Sequence, residues 1–290
     1  MSPHSSSRWW AMVGGSEPSA PPRREGEPPT NNHQPSTVFI DLNLDAGERP
    51  EAIADGSECE LMALVCSVNI ACGAHAGDVA TMAATLAGAH SLGVVCGAHP
   101  GYPDRAGFGR ASLELAPEEI AATVRSQVAT LARLAAECGV HLAHVKPHGA
   151  LYADAARDPA VAAAVAAGAA PWREELRLVG LAGSPCLEVY RRAGFDVVAE
   201  AFAERRYEPD GTLRPRRFPD AVICAPDEAA AQAVRIAGRR EVVAADGTVV
   251  GIRADTLCIH SDSPGALAVA RAVRRALDGA GIAVRAVGHA

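Results

Sequence analysis

Two segments of the chain repeat one corner, Cys-Gly-Ala-His-Ala-Gly at 72–77 and Cys-Gly-Ala-His-Pro-Gly at 96–101, and each presents an imidazole, His75 and His99. A third imidazole, His148, follows Lys146 in HVKPHG (144–149), and Asp41, Asn43, Asp45 and Glu48 crowd the stretch DLNLDAGE (41–48). Imidazoles beside carboxylates exchange protons near neutral pH, so Asp41, Asp45, His75, His99, Lys146 and His148 form the candidate catalytic set. His75, His99 and His148 with Asp45 or Asp41 also have the donor types of a mixed His/carboxylate metal site, which would activate water for hydrolysis. Without a metal, Lys146 and Arg206 are suited to hold a carboxylate or a developing oxyanion. The alternative for Lys146 is an ion pair with Asp41 or Asp45.

Cys-x-x-His occurring twice invites a zinc reading, but residues three apart on an extended strand face opposite sides. Cys72 and Cys96 are therefore expected to pack in the core, with the histidines at the surface of a site. Asn43, Glu48, Asn69, Tyr102, Arg206, Tyr207, His260 and Asp262 are candidate substrate contacts. Asp78 and Ser263 read as helix caps. The Gly- and Pro-rich stretch GAHPGYPDRAGFGR (97–110) predicts a shaped loop whose Tyr102 and Phe108 wall a pocket.

Short apolar runs at 38–43, 67–72, 93–98, 142–147, 176–183, 196–202 and 255–260 read as strands, each followed by an Ala/Leu-rich stretch of helical period. The clearest helix is 117–138, opened by Pro117 and Glu118-Glu119. Gly139, Gly194, Gly238 and Gly281 sit where helix ends favour a positive φ. Asp246-Gly247, between two apolar arms in 241–254, predicts a type I′ hairpin. Successive strand-helix units imply an α/β fold, a distorted (β/α) barrel of about seven parallel strands. An open doubly wound sheet is the alternative, without a Gly-x-Gly-x-x-Gly turn to support it. In such a barrel the strands' carboxyl ends surround one mouth, and the candidate groups fall on those ends of six different strands.

A net charge of -7 with no Lys/Arg-rich run argues against nucleic acid as a partner. No apolar stretch reaches the roughly 18–20 residues that span a bilayer, so no membrane role is expected and the cytoplasm is the default. The eight cysteines lie mostly in apolar runs and read as reduced and buried. Residues 1–36, rich in Pro, Ser, Glu and Asn, read as a disordered extension in which Trp9, Trp10 and Met12 stand out, leaving 37–290 as the barrel domain.

Beyond these readings, the chain resembles the LamB/YcsF family, which is identified with the A-type subunit of prokaryotic 5-oxoprolinase. The matching stretches are DLNLDAGE (41–48), SVNIACGAHAGD (67–78), GAHPGYPDRAGFGR (97–110), HVKPHGALY (144–152), EAFAERRYEPDGTLRPR (200–216) and HSDSPGALAVARAVR (260–274). The resemblance implies a barrel like that of glycoside hydrolases and polysaccharide deacetylases. It also implies a subunit that works with subunits B and C to couple ATP hydrolysis to the conversion of 5-oxo-L-proline into L-glutamate. Asp41, Asn43, Asp45 and Glu48, His75 and Asp78, His99, Lys146 and His148, Arg206 and Tyr207, and His260 and Asp262 match the family's corners. Ala46, Ala74 and Ser261 depart from its usual Leu, Phe and Gly, and the loss of Phe beside His75 is expected to enlarge the pocket. The chain has no Gly-x-x-x-x-Gly-Lys-Ser/Thr cradle, so ATP is expected on a partner subunit. The competing readings are a stand-alone metal-dependent deacetylase or amidohydrolase acting on an N-acyl sugar or amide, and a non-catalytic scaffold for the other two subunits.

Overall fold

In the segment Phe39-Ile-Asp-Leu-Asn-Leu-Asp-Ala46 apolar and polar side chains alternate, which on an extended chain sends them to opposite faces. Ile40, Leu42 and Leu44 join the apolar core. Asp41, Asn43 and Asp45 instead meet polar groups from other strands: Ser67, Glu200 and Lys146 respectively. The computed structural model describes residues 38–263 and 265–287, so the N-terminal extension with Trp9, Trp10 and Met12 lies outside the described residues.

The strands are β1 (Phe39–Ala46), β2 (Ser67–Ala71), β3 (Val95–His99), β4 (Leu142–Val145), β5 (Arg177–Leu181), β6 (Val197–Phe202), β7 (Glu241–Val243), β8 (Val249–Gly251), β9 (Thr256–His260) and β10 (Ala283–Val284). The helices are α1 (Pro50–Ala54), α2 (Ser57–Met62), α3 (Val79–Ser91), α4 (Pro117–Glu137), α5 (Gly149–Arg157), α6 (Pro159–Ala169), α7 (Cys186–Arg192), α8 (Pro226–Arg239) and α9 (Ala266–Gly279). Seven strands pair in parallel in the order β1-β2-β3-β4-β5-β6-β9, and β9 pairs back onto β1, closing a (β/α) barrel. Leu86, Val124, Val165, Ile236 and Val273 from the surrounding helices pack in the same apolar core as the outward faces of the strands. Burying each such aliphatic side chain contributes about 1.5–3 kcal/mol.

The barrel is distorted where polar side chains need room. The register slips between Cys96 and Gly97, and β4 and β5 share only the pairs His144–Arg177 and Val145–Leu178. A Cβ at Gly97 would collide with the His144 ring, so glycine there lets an imidazole occupy the barrel interior. Among the described residues, no helix is long and apolar enough to cross a membrane.

Four local expectations are corrected. Gly238 lies within α8 rather than ending it; Arg240 takes the left-handed position at φ 58° and its carbonyl accepts from Ile252 N–H. The β7-β8 hairpin is not type I′. Only Gly247 in its turn has positive φ (91°), and Asp246 accepts the Thr248 N–H, giving a loop with glycine in the bulge position. An eighth parallel strand, the two-residue β10, flanks the start of β1. Among the cysteines, Cys59, Cys138 and Cys224 are exposed, because each lies on a helix surface or beside a helix end rather than inside a strand.

Candidate active site

The barrel interior holds a continuous polar network. At its lower end Asp41 accepts from the hydroxyls of Ser67 and Thr256 at 2.8 and 2.5 Å, and burial pushes its carboxyl up to about 6. One tier up, Asn43 donates to Glu200 Oε1 at 3.0 Å, and Asn69 donates to Asn43 and Asp45 at 2.7 and 2.8 Å. His144, on the same face of its strand segment as Lys146, reaches Asn69 Oδ1 at 2.7 Å, and burial lowers its pKa to about 3.

Lys146 is the hub. Its Nζ lies 2.8 Å from both Asp45 and Glu200 and 3.1 Å from Cys258 Sγ. Burial alone would favour the neutral amine, but the negative charge of Asp45, with that of Glu200, outweighs it and holds the ammonium well above its ordinary range. Burial likewise opposes ionisation of Asp45, yet the His99 imidazole, 3.4 Å away, and the Lys146 ammonium keep that carboxyl well below its usual value.

Above this hub, three imidazoles and Glu48 converge. His99 Nδ1 lies 2.8 Å from the Lys146 carbonyl, and His148 Nε2 lies 2.9 Å from the Phe108 carbonyl. A carbonyl only accepts, so each of those nitrogens carries the hydrogen and, in the neutral rings, His99 Nε2 and His148 Nδ1 keep lone pairs. These two lone-pair nitrogens face each other at 3.0 Å. Glu48 Oε1 stands 3.2 Å from His148 Nδ1, 3.3 Å from His75 Nε2 and 3.9 Å from His99 Nε2. Burial lowers the His75 pKa to about 4, and its ring stacks on His148 with centroids 3.7 Å apart. Glu48, His75, His99 and His148 each offer one donor atom, all within 4.8 Å of one another. The lone pairs of His99 and His148 converging beside the Glu48 carboxylate fit a cation, and carbonyl-fixed imidazole tautomers are the usual support for one.

Local sequence positions these groups. Glu58 accepts the Gly47 N–H at 3.1 Å with both oxygens, fixing the turn that delivers Glu48. Gln127 of α4 clamps Gly101 through its N–H and carbonyl at 3.0 and 2.8 Å. The 97–110 loop then lies against the imidazoles. At Gly109 (φ 62°) a Cβ would meet His75 at 2.9 Å and His148 at 3.0 Å, and Phe108 packs edge-on to both rings. Across the mouth, Glu204 accepts from the backbone N–H of His260 at 2.9 Å and faces its Nδ1 at 2.6 Å.

A cavity of about 270 Å³ opens here, lined by Asp45, Glu48, His99, Lys146, His148, His260 and Asp262 from the expected set. His75 stacks behind His148. Asn43, Asn69 and Asp41 sit progressively deeper. Asp41 lies four residues before Asp45 on β1, roughly 13 Å down the strand, away from the mouth. Besides Asn43 and Asn69, three further expected contacts do not line the cavity. The Tyr102 hydroxyl donates to Asp154 at 3.1 Å, Arg206 pairs with Glu228 of α8 at 2.7 Å, and buried Tyr207 accepts the Phe202 N–H at 2.8 Å. Arg206 thus turns toward α8, and its neighbour Arg205 lines the cavity instead. Ala74 does not line the cavity either. Asp78 caps α3 through the Thr81 N–H at 2.8 Å, whereas the Ser263 hydroxyl is drawn to Glu204 at 3.1 Å instead of capping α9. His144, Arg110, Arg205, Arg214 and Arg216 fall outside the expected set. For His144 the sequence does carry a signal, since His144, Lys146 and His148 alternate.

Cys72 and Cys96 pack in the apolar core, their thiols pushed up to about 12 by burial.

The model of the LamB/YcsF family matches residues 40–290. The A-type subunit of 5-oxoprolinase from Chloroflexus aggregans is 51% identical over 248 residues, covering 86% of this chain and 98% of its own length. That of Methylococcus capsulatus is 50% identical over 249 residues, covering 86% and 96%. The crystal structure of a lactam utilization protein from Thermus thermophilus superposes with a TM-score of 0.80 at 47% identity, covering 86% of this chain and 99% of the other.

Proposed function

Because this chain belongs to the LamB/YcsF family, we propose that it is the lactam-opening subunit of a 5-oxoprolinase, hydrolysing 5-oxo-L-proline to L-glutamate. It works in the cytoplasm with two further subunits, B and C, and the ATP that drives the reaction is bound mainly by a partner. The observation that carries this reading is the mouth itself: an ionised carboxylate, a buried ammonium and converging imidazole lone pairs share one small cavity. Relatives at about half identity over nearly their whole length bear the name of that activity.

Opening the ring with ATP requires transfer of the terminal phosphoryl group to the lactam oxygen with departure of ADP, addition of a water oxygen to the activated carbon, rupture of the carbon–nitrogen bond with a proton gained by the nitrogen, and release of phosphate by a second water. Asp45, held ionised, takes the water proton. Lys146, its three hydrogens directed to Asp45, Glu200 and Cys258, stabilises through its charge the negative charge that develops on the oxygen of the reacting carbon. His260, oriented by Glu204, supplies the proton to the leaving nitrogen. Glu48, His75, His99 and His148 would hold a divalent metal, which when bound supplies Lewis acidity to a water or carbonyl oxygen.

The test is co-expression with candidate B and C subunits and measurement of glutamate release from 5-oxoproline with and without ATP. ATP-dependent release that disappears with Asp45→Asn supports the reading. Chelator-sensitive amide hydrolysis by the isolated chain without ATP would replace it with a stand-alone metallohydrolase. Unchanged release by the Asp45→Asn complex would reduce the chain to a scaffold.

A further inference from the structure

The cations lining the mouth cavity are not equally matched by anions. Lys146 is held by Asp45 and Glu200, Arg110 by Asp262, Arg157 by Asp154, and Arg214 by Glu208 and Asp220. Arg205 and Arg216 have no carboxylate oxygen within 4.0 Å among the described residues. Arg216 is exposed, where water can screen its charge. Arg205 is only 7% exposed. Its Nε and one terminal nitrogen donate to the carbonyls of Ala221 and Arg214 at 3.3 and 2.7 Å, which aim the guanidinium without neutralising it. Its other terminal nitrogen donates to no protein atom among the described residues.

Glu204, its neighbour in the chain, acts on this charge only from beyond 4.0 Å, so a buried guanidinium with one terminal nitrogen free favours an anionic ligand that completes it. Burial, with the neighbouring Arg216, lowers the Arg205 pKa to about 10, which still leaves the group charged at neutral pH. The planar fork matches a carboxylate bidentately. We propose that Arg205 is the specificity residue that receives the carboxylate of a small cyclic-amide substrate, with Arg216 as an outer cation at the entrance. This rests on the lactam reading above and adds the group that would distinguish 5-oxoproline from an uncharged lactam.

The experiment compares 5-oxo-L-proline with 2-pyrrolidinone, the same ring without the carboxylate, by calorimetric binding to the full chain. Wild type should prefer 5-oxoproline, and Arg205→Met should lose roughly tenfold to hundredfold in affinity for it while binding pyrrolidinone unchanged. Arg205→Lys should fall between. Thermal melts of the variants establish that the fold is retained. Wild-type discrimination persisting in folded Arg205→Met, or a wild type that binds both rings equally, overturns the proposal. So does inorganic phosphate that competes with ligand only when Arg205 is present while ring discrimination survives in the variant, because the arginine then serves a phosphoryl group. Binding is read without turnover, so a complex that releases no glutamate would count against the lactam-hydrolase reading alone.

Discussion

His99 Nε2 and His148 Nδ1 face each other at 3.0 Å, each left with a lone pair because the other nitrogen of its ring is engaged by a backbone carbonyl. Two acceptors at that distance repel unless a proton or a cation lies between them. The purified chain is therefore expected to take up about one equivalent of a divalent transition metal, measured by elemental analysis after dialysis against zinc or manganese. His99→Ala and His148→Ala should each lower that affinity steeply, and a chelator should lower the Tm of the wild type but not of the variants. Wild-type chain that binds no metal and melts identically with chelator contradicts this.

Lys146 is the only ammonium among the described interior groups, and it balances Asp45 and Glu200 together. Replacing it with Met leaves two buried carboxylates facing one another, at an expected loss of about 3–5 kcal/mol of stability. Denaturant unfolding at pH 7 reads this directly; a loss below about 1 kcal/mol would mean that the carboxylates are neutralised some other way.

Asp41 binds its proton more tightly in the folded chain, its pKa rising to about 6 from 3.8 through burial. The folded state is thus favoured by this group below about pH 4, and the advantage is lost as pH rises through 6, by roughly 3 kcal/mol at about 1.4 kcal/mol per unit. Asp41→Asn, which cannot ionise, should be more stable than wild type at pH 8 and no more stable at pH 4. Unfolding curves at the two pH values that differ by a constant offset would rule the effect out.

Gly109→Ala introduces a methyl group against His75 and His148 and strains a backbone held at φ 62°. Activity of the assembled complex should fall at least about tenfold, chiefly in kcat, because the imidazoles shift rather than disappear. An effect confined to KM would place the loop in substrate entry instead.

Much of this is legible in the chain itself. Strands from Phe39 to His260 fall within a few residues of their expected positions, because their apolar runs end in polar corners with little ambiguity. The clustering of Asp45, Glu48, His99, Lys146, His148 and His260 follows from parallel topology. What escapes sequence reading is the facing of single positions. In Glu204-Arg205-Arg206-Tyr207 every residue is polar or amphipathic, so composition gives no phase, and only the fold shows that Arg206 pairs with Glu228 while Arg205 lines the cavity. Asp41 misleads for the opposite reason: its alternation is regular, but depth along a barrel leaves no mark in hydrophobic pattern.

The inside of this barrel carries carboxylates, amides, an imidazole and an ammonium where many barrels carry valine and leucine. Apolar packing therefore falls to the outer layer between strands and helices. Water admitted at the rim would meet hydrogen-bonding partners rather than an apolar plug, which suits a hydrolase.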